Sequence, residues 1–148
     1  MTETKFRKLK YNNVQETIKD SSQKSAVYIG CDSKLSGGQT LFGLVVVIHI
    51  DGHKGGIVFG NKSKISRRME ISERLMKEVD IAMECAFNLN GTVGERLFEV
   101  HLDINPSPEH KSNSVMKRAM SYVKAQGFDC QIKPHAWAAT TAADYLLH

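Results

Sequence analysis

Ala26-Val27-Tyr28-Ile29-Gly30-Cys31-Asp32-Ser33 is an apolar, β-favouring run that leads into a single carboxylate. Alternation puts Val27, Ile29 and Cys31 on one face and Tyr28 and Gly30 on the other, which suits a central strand. An acid at the exit of a buried strand costs free energy unless it is hydrated, paired or bound to a cation. Taken alone, Asp32 reads first as the start of a turn with Ser33. The remaining elements shift that reading.

The chain has 148 residues, enough for one domain with a real core. Apolar residues make up 41% and charged residues 24%, which excludes a disordered or fibrous chain. The net charge of +4 permits a polyanionic partner without demanding one. Cys31, Cys85 and Cys130 are far apart and form no C-x-x-C pair, so zinc-ribbon and thioredoxin-like readings fail. Buried thiols in a reduced, cytoplasmic protein are the expectation. The polar start Met1 to Lys5 lacks a signal core, and the longest apolar run, Leu44 to Ile48, is far short of a membrane span.

Beyond the first strand, Ser36-Gly37-Gly38 signals a turn, and Thr40 to Ile50 predicts a second strand antiparallel to the first. Asp51-Gly52 marks a hairpin, and Gly55 to Gly60 a shorter third strand. Asn61 to Ser66 reads as a basic loop. Ser66 then caps a long helix to about Leu89, with Ile71, Leu75, Val79, Ala82 and Ala86 as its apolar stripe. Met69, Met76 and Met83 form a neighbouring stripe expected in the core. Leu97 to Ile104 alternates as a fourth strand. A polar loop with Pro106 and Pro108 leads to a helix from Ser114 to Gln126, a short strand from Phe128 to Lys133, and a last helix from Trp137 to Leu147. Upstream, residues 1–25 are basic and hold one short helix, Val14 to Asp20; residues 26–148 form the domain proper. Three meandering strands followed by helix-linked strands predict an α/β fold with a mixed sheet, and the fourth strand parallel to the first.

Four acids stand out by position: Asp32 ending the first strand, Glu70 at the start of the long helix, Asp103 ending the fourth strand, and Asp144 in the last helix. Adjacent parallel strands would bring Asp32 and Asp103 out side by side, at the edge where open α/β sheets bind ligands. Converging carboxylates repel, and a hard divalent ion relieves the repulsion. Glu73, one turn beyond Glu70, competes with it as the helix ligand. Each acid also has a plainer reading: a helix N-terminal carboxylate for Glu70, a turn residue for Asp103, a solvated helix residue for Asp144.

The layout resembles the ribonuclease H-like superfamily of nucleases. Ile29-Gly30-Cys31-Asp32-Ser33 is similar to its first strand, Arg68-Met69-Glu70-Ile71 to the R-M-E-L motif of type 1 ribonuclease H, and His101-Leu102-Asp103 to the strand with the third acid. The segments IGCDS, EVHLDIN and IKPHAWAATTAAD resemble the small bacterial YkuK-like proteins more closely. The resemblance implies a ribonuclease H-like fold with five strands ordered 3-2-1-4-5 and helices on both faces. It further implies an endonuclease holding two Mg²⁺ or Mn²⁺ ions ~3.5–4 Å apart on Asp32, Glu70, Asp103 and Asp144. His135 falls where those enzymes carry a loop histidine that assists catalysis; a surface histidine is the plainer reading. The basic protrusion of some ribonuclease H enzymes has no counterpart, because a single helix separates the last two strands.

Lys62, Lys64, Arg67 and Arg68 lie beside the Glu70 helix, and His110 and Lys111 follow the fourth strand, all suited to phosphate contact or simply to a solvated face. His101, Trp137 and Tyr145 read as packing residues. The expected reaction is phosphodiester hydrolysis, first of RNA in RNA/DNA hybrids. The alternative is a nucleic-acid-binding or junction-resolving protein with weak or no hybrid cleavage.

Overall fold

A computed structural model describes residues 6–52, 54–104 and 113–148 of the chain. In chain order the elements are β1 (Arg7–Lys8), α1 (Tyr11–Asp20), β2 (Ala26–Ser36), β3 (Gln39–His49), β4 (Gly56–Ile65), α2 (Ile71–Val93), β5 (Leu97–Leu102), α3 (Asn113–Ala125) and β6 (Asp129–Gln131). A π-helical segment, Ala138–Ala143, then runs into α4 (Asp144–Leu147).

One mixed sheet carries the strands in the order β1-β4-β3-β2-β5-β6. From β4 to β6 this is the 3-2-1-4-5 order expected from the sequence. The sixth strand, β1, has no signal in the sequence: two basic residues parallel to Phe59 and Gly60 are too short to show any alternation. β2 is the centre, antiparallel to β3 and parallel to β5.

The two faces follow from the alternation in β2. Val27, Ile29 and Cys31 join Leu44, Val46, Ile48, Val100 and Leu102 in the main core. Helices α1, α2 and α3 cover that face through residues such as Ile18, Val79, Met83, Leu89, Ala119 and Val123. Opposite them, Val45, Val47 and Tyr28 pack against Ala138, Ala143 and Leu146 of the C-terminal helix. Gly30 permits this second layer to approach. A Cβ there would stand 2.3 Å from the Ala138 carbonyl carbon and 2.4 Å from the Ala139 nitrogen. Among the described residues, no helix is long and apolar enough to cross a membrane.

Two strand ends differ from expectation, for one reason. β2 continues past Asp32 to Ser36, and β4 continues past Gly60 to Ile65, so that the segment read as a basic loop, Asn61 to Ser66, is mostly strand. Ladder pairing with β3, from Thr40↔Ile65 to Leu44↔Asn61, holds these polar residues extended, where their own propensities do not. The long helix accordingly starts at Ile71, with Glu70 as its N-cap, rather than near Ser66.

The Gly30 contact is testable. Gly30→Ala has no flexible side chain to displace, only backbone, so it should cost about 3 kcal/mol or more in denaturant unfolding. A change below about 0.5 kcal/mol, the range of ordinary surface substitutions, would mean that the last helix does not sit against β2 this closely.

Candidate active site

The parallel pairing of β2 with β5 ends at Cys31↔Leu102. Asp32 and Asp103 are the next residues on each chain, so they meet where β5 leaves the sheet. Asp32 itself remains paired with Gly43 of β3. It is therefore fixed in a continuing strand rather than at a strand end. Being in step with Gly30, it lies on the side of the sheet that carries the C-terminal helix.

A third acid closes the group. Ligand oxygens of Asp32, Glu78 and Asp103 all lie within 4.8 Å of one another. Glu78 is only 5% exposed and Asp32 only 8%, so neither carboxyl has ready access to bulk water. Glu78 accepts a hydrogen bond from the Ser33 hydroxyl. Asp32 Oδ1 accepts one from the Ser33 N–H at 2.8 Å. The Lys133 ammonium stands 3.0 Å from Asp103 Oδ1.

Burial pushes the Asp32 carboxyl up to about 8, helped by its hydrogen bond to Asp103 and by the negative charges of Asp103 and Asp144. Burial pushes Glu78 well above the carboxylate range too; Asp32 and Asp103 add to the effect, while Ser33 and Arg74 oppose it. Both shifts express one cost: carboxylates desolvated together are hard to ionise together. A divalent cation removes that cost, and three hard oxygen donors suit magnesium or manganese. The donor set thus fits the ion that the sequence resemblance implies.

The helix acid in this group is Glu78, and neither Glu70 nor Glu73 joins it. Glu70 is exposed at the helix N-cap, where its carbonyl accepts from the Arg74 N–H at 2.8 Å. It lies eight residues from Glu78, about 12 Å along the axis. Glu73 is exposed and held by Arg67, with 2.8 Å between Arg67 Nη1 and Glu73 Oε1. The Arg68-Met69-Glu70-Ile71 likeness therefore falls at the approach to the helix, away from the three gathered carboxylates. Asp144 stands outside the group of three, half-exposed, with His148 Nε2 3.2 Å from its Oδ1, although its charge is felt at Asp32. His135 is exposed and donates its backbone N–H to Ile132 O.

The other residues singled out from the sequence divide clearly. His101 is 1% exposed, on the face of β5 that meets the C-terminal helix. Its Nδ1 accepts from the Ala138 N–H at 3.1 Å, which leaves the proton on Nε2, facing Glu99 Oε1 at 3.0 Å. Burial lowers its pKa, consistent with a neutral ring that anchors the last helix. Trp137 packs among Tyr28, His49 and His101. Lys62 and Lys64 are exposed on β4. Arg68 donates to Gly37 O at 2.7 Å and Arg67 is paired with Glu73, so both arginines brace the surrounding loops. His110 and Lys111 lie outside the described residues.

The model of the ribonuclease H-like family matches residues 10–147, nearly the whole chain, and the chain belongs to that family. No curated protein matches it.

The raised Asp32 pKa has a definite stability consequence. In the unfolded chain an aspartate titrates near ~3.9, in the metal-free fold near 8. Stability from the bound proton is therefore complete below about pH 4 and falls as the pH rises towards 8. Metal-free Asp32→Asn should melt higher than the unsubstituted protein at pH 8, with the difference shrinking steadily as the pH is lowered towards 4. Thermal melts in chelator across that range would show a pH-independent difference if the aspartate were not so perturbed.

Proposed function

We propose that the protein is a metal-dependent endonuclease that hydrolyses phosphodiester bonds, with RNA in RNA/DNA hybrids as the first substrate to test. The convergence of Asp32, Glu78 and Asp103 at the end of the parallel strand pair carries this reading. Membership of the ribonuclease H-like family supports it.

Asp32, Glu78 and Asp103 would hold magnesium or manganese, with Asp144 close enough in charge to share a second ion. The bound ions would supply Lewis-acid stabilisation of the phosphate and activation of a water. The chain's own groups have distinct tasks. Burial makes Asp32 and Glu78 hold their protons more tightly than ordinary carboxyls, and binding a cation would require them to be released, so metal affinity should rise with pH. Ser33 orients the Glu78 carboxyl and, through its N–H, the Asp32 carboxyl. Arg74, one turn before Glu78, offsets part of the charge on that side. Lys133 balances Asp103. Exposed His135, two residues beyond Lys133, would serve as the group that exchanges protons with solvent.

One feature favours the second reading, a nucleic-acid-binding or junction-resolving protein with weak hybrid cleavage. Asp144, the fourth acid, is engaged by His148 instead of pointing into the group of three.

Cleavage of a labelled RNA/DNA hybrid in Mg²⁺ or Mn²⁺ separates these readings. Asp32→Asn and Glu78→Gln should each lower the rate by at least about 1,000-fold, since a metal ligand contributes several kcal/mol to the transition state and each ~1.4 kcal/mol is tenfold. Glu70→Gln should stay within about twofold, as expected of an exposed residue that costs well under ~0.5 kcal/mol. Metal-independent cleavage, or loss of activity in Glu70→Gln alone, would contradict the assignment. Binding without turnover of hybrid or junction would favour the second reading.

A further inference from the structure

Beyond Asp32 the sheet extends as a three-stranded arm formed by the ends of β2 and β3 and the second half of β4. Its register is continuous: Asp32↔Gly43↔Lys62 form one row and Lys34↔Leu41↔Lys64 the next. Residues directly opposite one another on paired strands share a face, as do residues two apart along a strand. Lys34, Lys62 and Lys64 therefore stand on the same face of the sheet as Asp32. That face is identified independently at Gly43, where a Cβ would meet Leu147 and the Ala143 carbonyl of the C-terminal helix.

The arm is held firmly. Thr40, on its opposite face, donates its hydroxyl to Arg67 O at 2.8 Å and accepts the Met69 N–H at 3.0 Å. Arg68 ties the turn at Gly37. Among the described residues, none of the three lysines has an ion-pair partner, and Lys62 and Lys64 are exposed. Neighbouring strands are ~4.8 Å apart and alternate residues ~6.8 Å, so Lys62 lies about 10 Å across the sheet from Asp32 and the second row about 7 Å further out.

We infer that this arm is the guide for the nucleic-acid backbone: Lys34, Lys62 and Lys64 form a track of unpaired positive charge that carries successive phosphates of one strand towards Asp32. Charge complementarity selects the occupant, because a surface of fixed cations beside an acidic centre attracts a polyanion and a phosphate chain can engage all three at once. The inference rests on the nuclease reading of the site and adds the direction from which the strand arrives. It also explains why arginines beside the track are used internally while the lysines are left free.

The test is binding of a labelled 20-base-pair RNA/DNA hybrid in chelator, which prevents turnover, at salt from about 50 to 200 mM. The protein with Lys34→Gln, Lys62→Gln and Lys64→Gln is compared with a charge-matched control carrying Lys19→Gln, Lys24→Gln and Lys54→Gln, near the opposite end of the sheet. Both sets are polar exchanges at lysines, and thermal melts check that each variant is folded. The arm variant should bind at least about tenfold more weakly at the lower salt, with a log–log salt slope shallower by about 2–3, close to one for each phosphate no longer neutralised. The control should change much less in both. Equal losses in the two variants, or no loss in either, would overturn the track while leaving the nuclease assignment standing. Failure of the unsubstituted protein to bind hybrid at the lower salt would overturn both.

Discussion

Three carboxyl groups sit closer together than their charges tolerate. Asp32, Glu78 and Asp103 are gathered by elements distant in sequence, and two of them are almost wholly removed from water. Nothing in local propensity favours this. It persists because a well-packed core fixes β2 between β3 and β5, and because α2 is buried along that core through Leu75, Val79, Ala82 and Met83. The apolar contacts on either side of Glu78 carry the cost of burying it. Partial relief comes from Ser33, which donates to both Glu78 and Asp32, from the charge of Arg74 felt at Glu78, and from Lys133 beside Asp103. A divalent cation held by the three carboxylates would relieve the remainder, which is how an unfavourable cluster can serve as a binding site.

The second layer serves the same centre. Gly30 lets the C-terminal helix lie directly on β2, and neutral His101 holds its first turn by accepting the Ala138 N–H. That contact brings Asp144 near enough for its charge to reach Asp32. The aromatic cluster of Tyr28, His49 and Trp137 fills the space beside it. Packing on the face without α2 thus sets the distance between the fourth acid and the other three.

Much of this was legible in the residues. Alternation in Ala26 to Cys31 and in Leu97 to Ile104 identified the two strands whose parallel pairing brings Asp32 and Asp103 together, and the strand order followed from the family resemblance. The helix acid that meets Asp32 and Asp103 escaped the sequence reading for an instructive reason. A short motif around Glu70 outweighed periodicity, yet Glu78 falls three residues after Leu75 and four before Ala82, inside the buried stripe. A charged residue at an inward-facing position is the signal that was available. The length of β4 was hidden because Asn61 to Lys64 has no strand propensity of its own; cross-strand pairing with β3 determines it. β1 was hidden because two residues have no period. The position of Lys34 on the face of Asp32 was hidden for a related cause, since the alignment of their rows exists only across the ladder register.

Everything proposed for the site depends on Asp32, Glu78 and Asp103 together holding a divalent cation. Anomalous diffraction from crystals soaked in Mn²⁺ would locate that ion. A strong peak bounded by these three carboxylates is expected, accompanied by movement of the Lys133 ammonium away from Asp103. A peak at Glu70, or none within reach of Asp32 and Glu78 at saturating Mn²⁺, would contradict it.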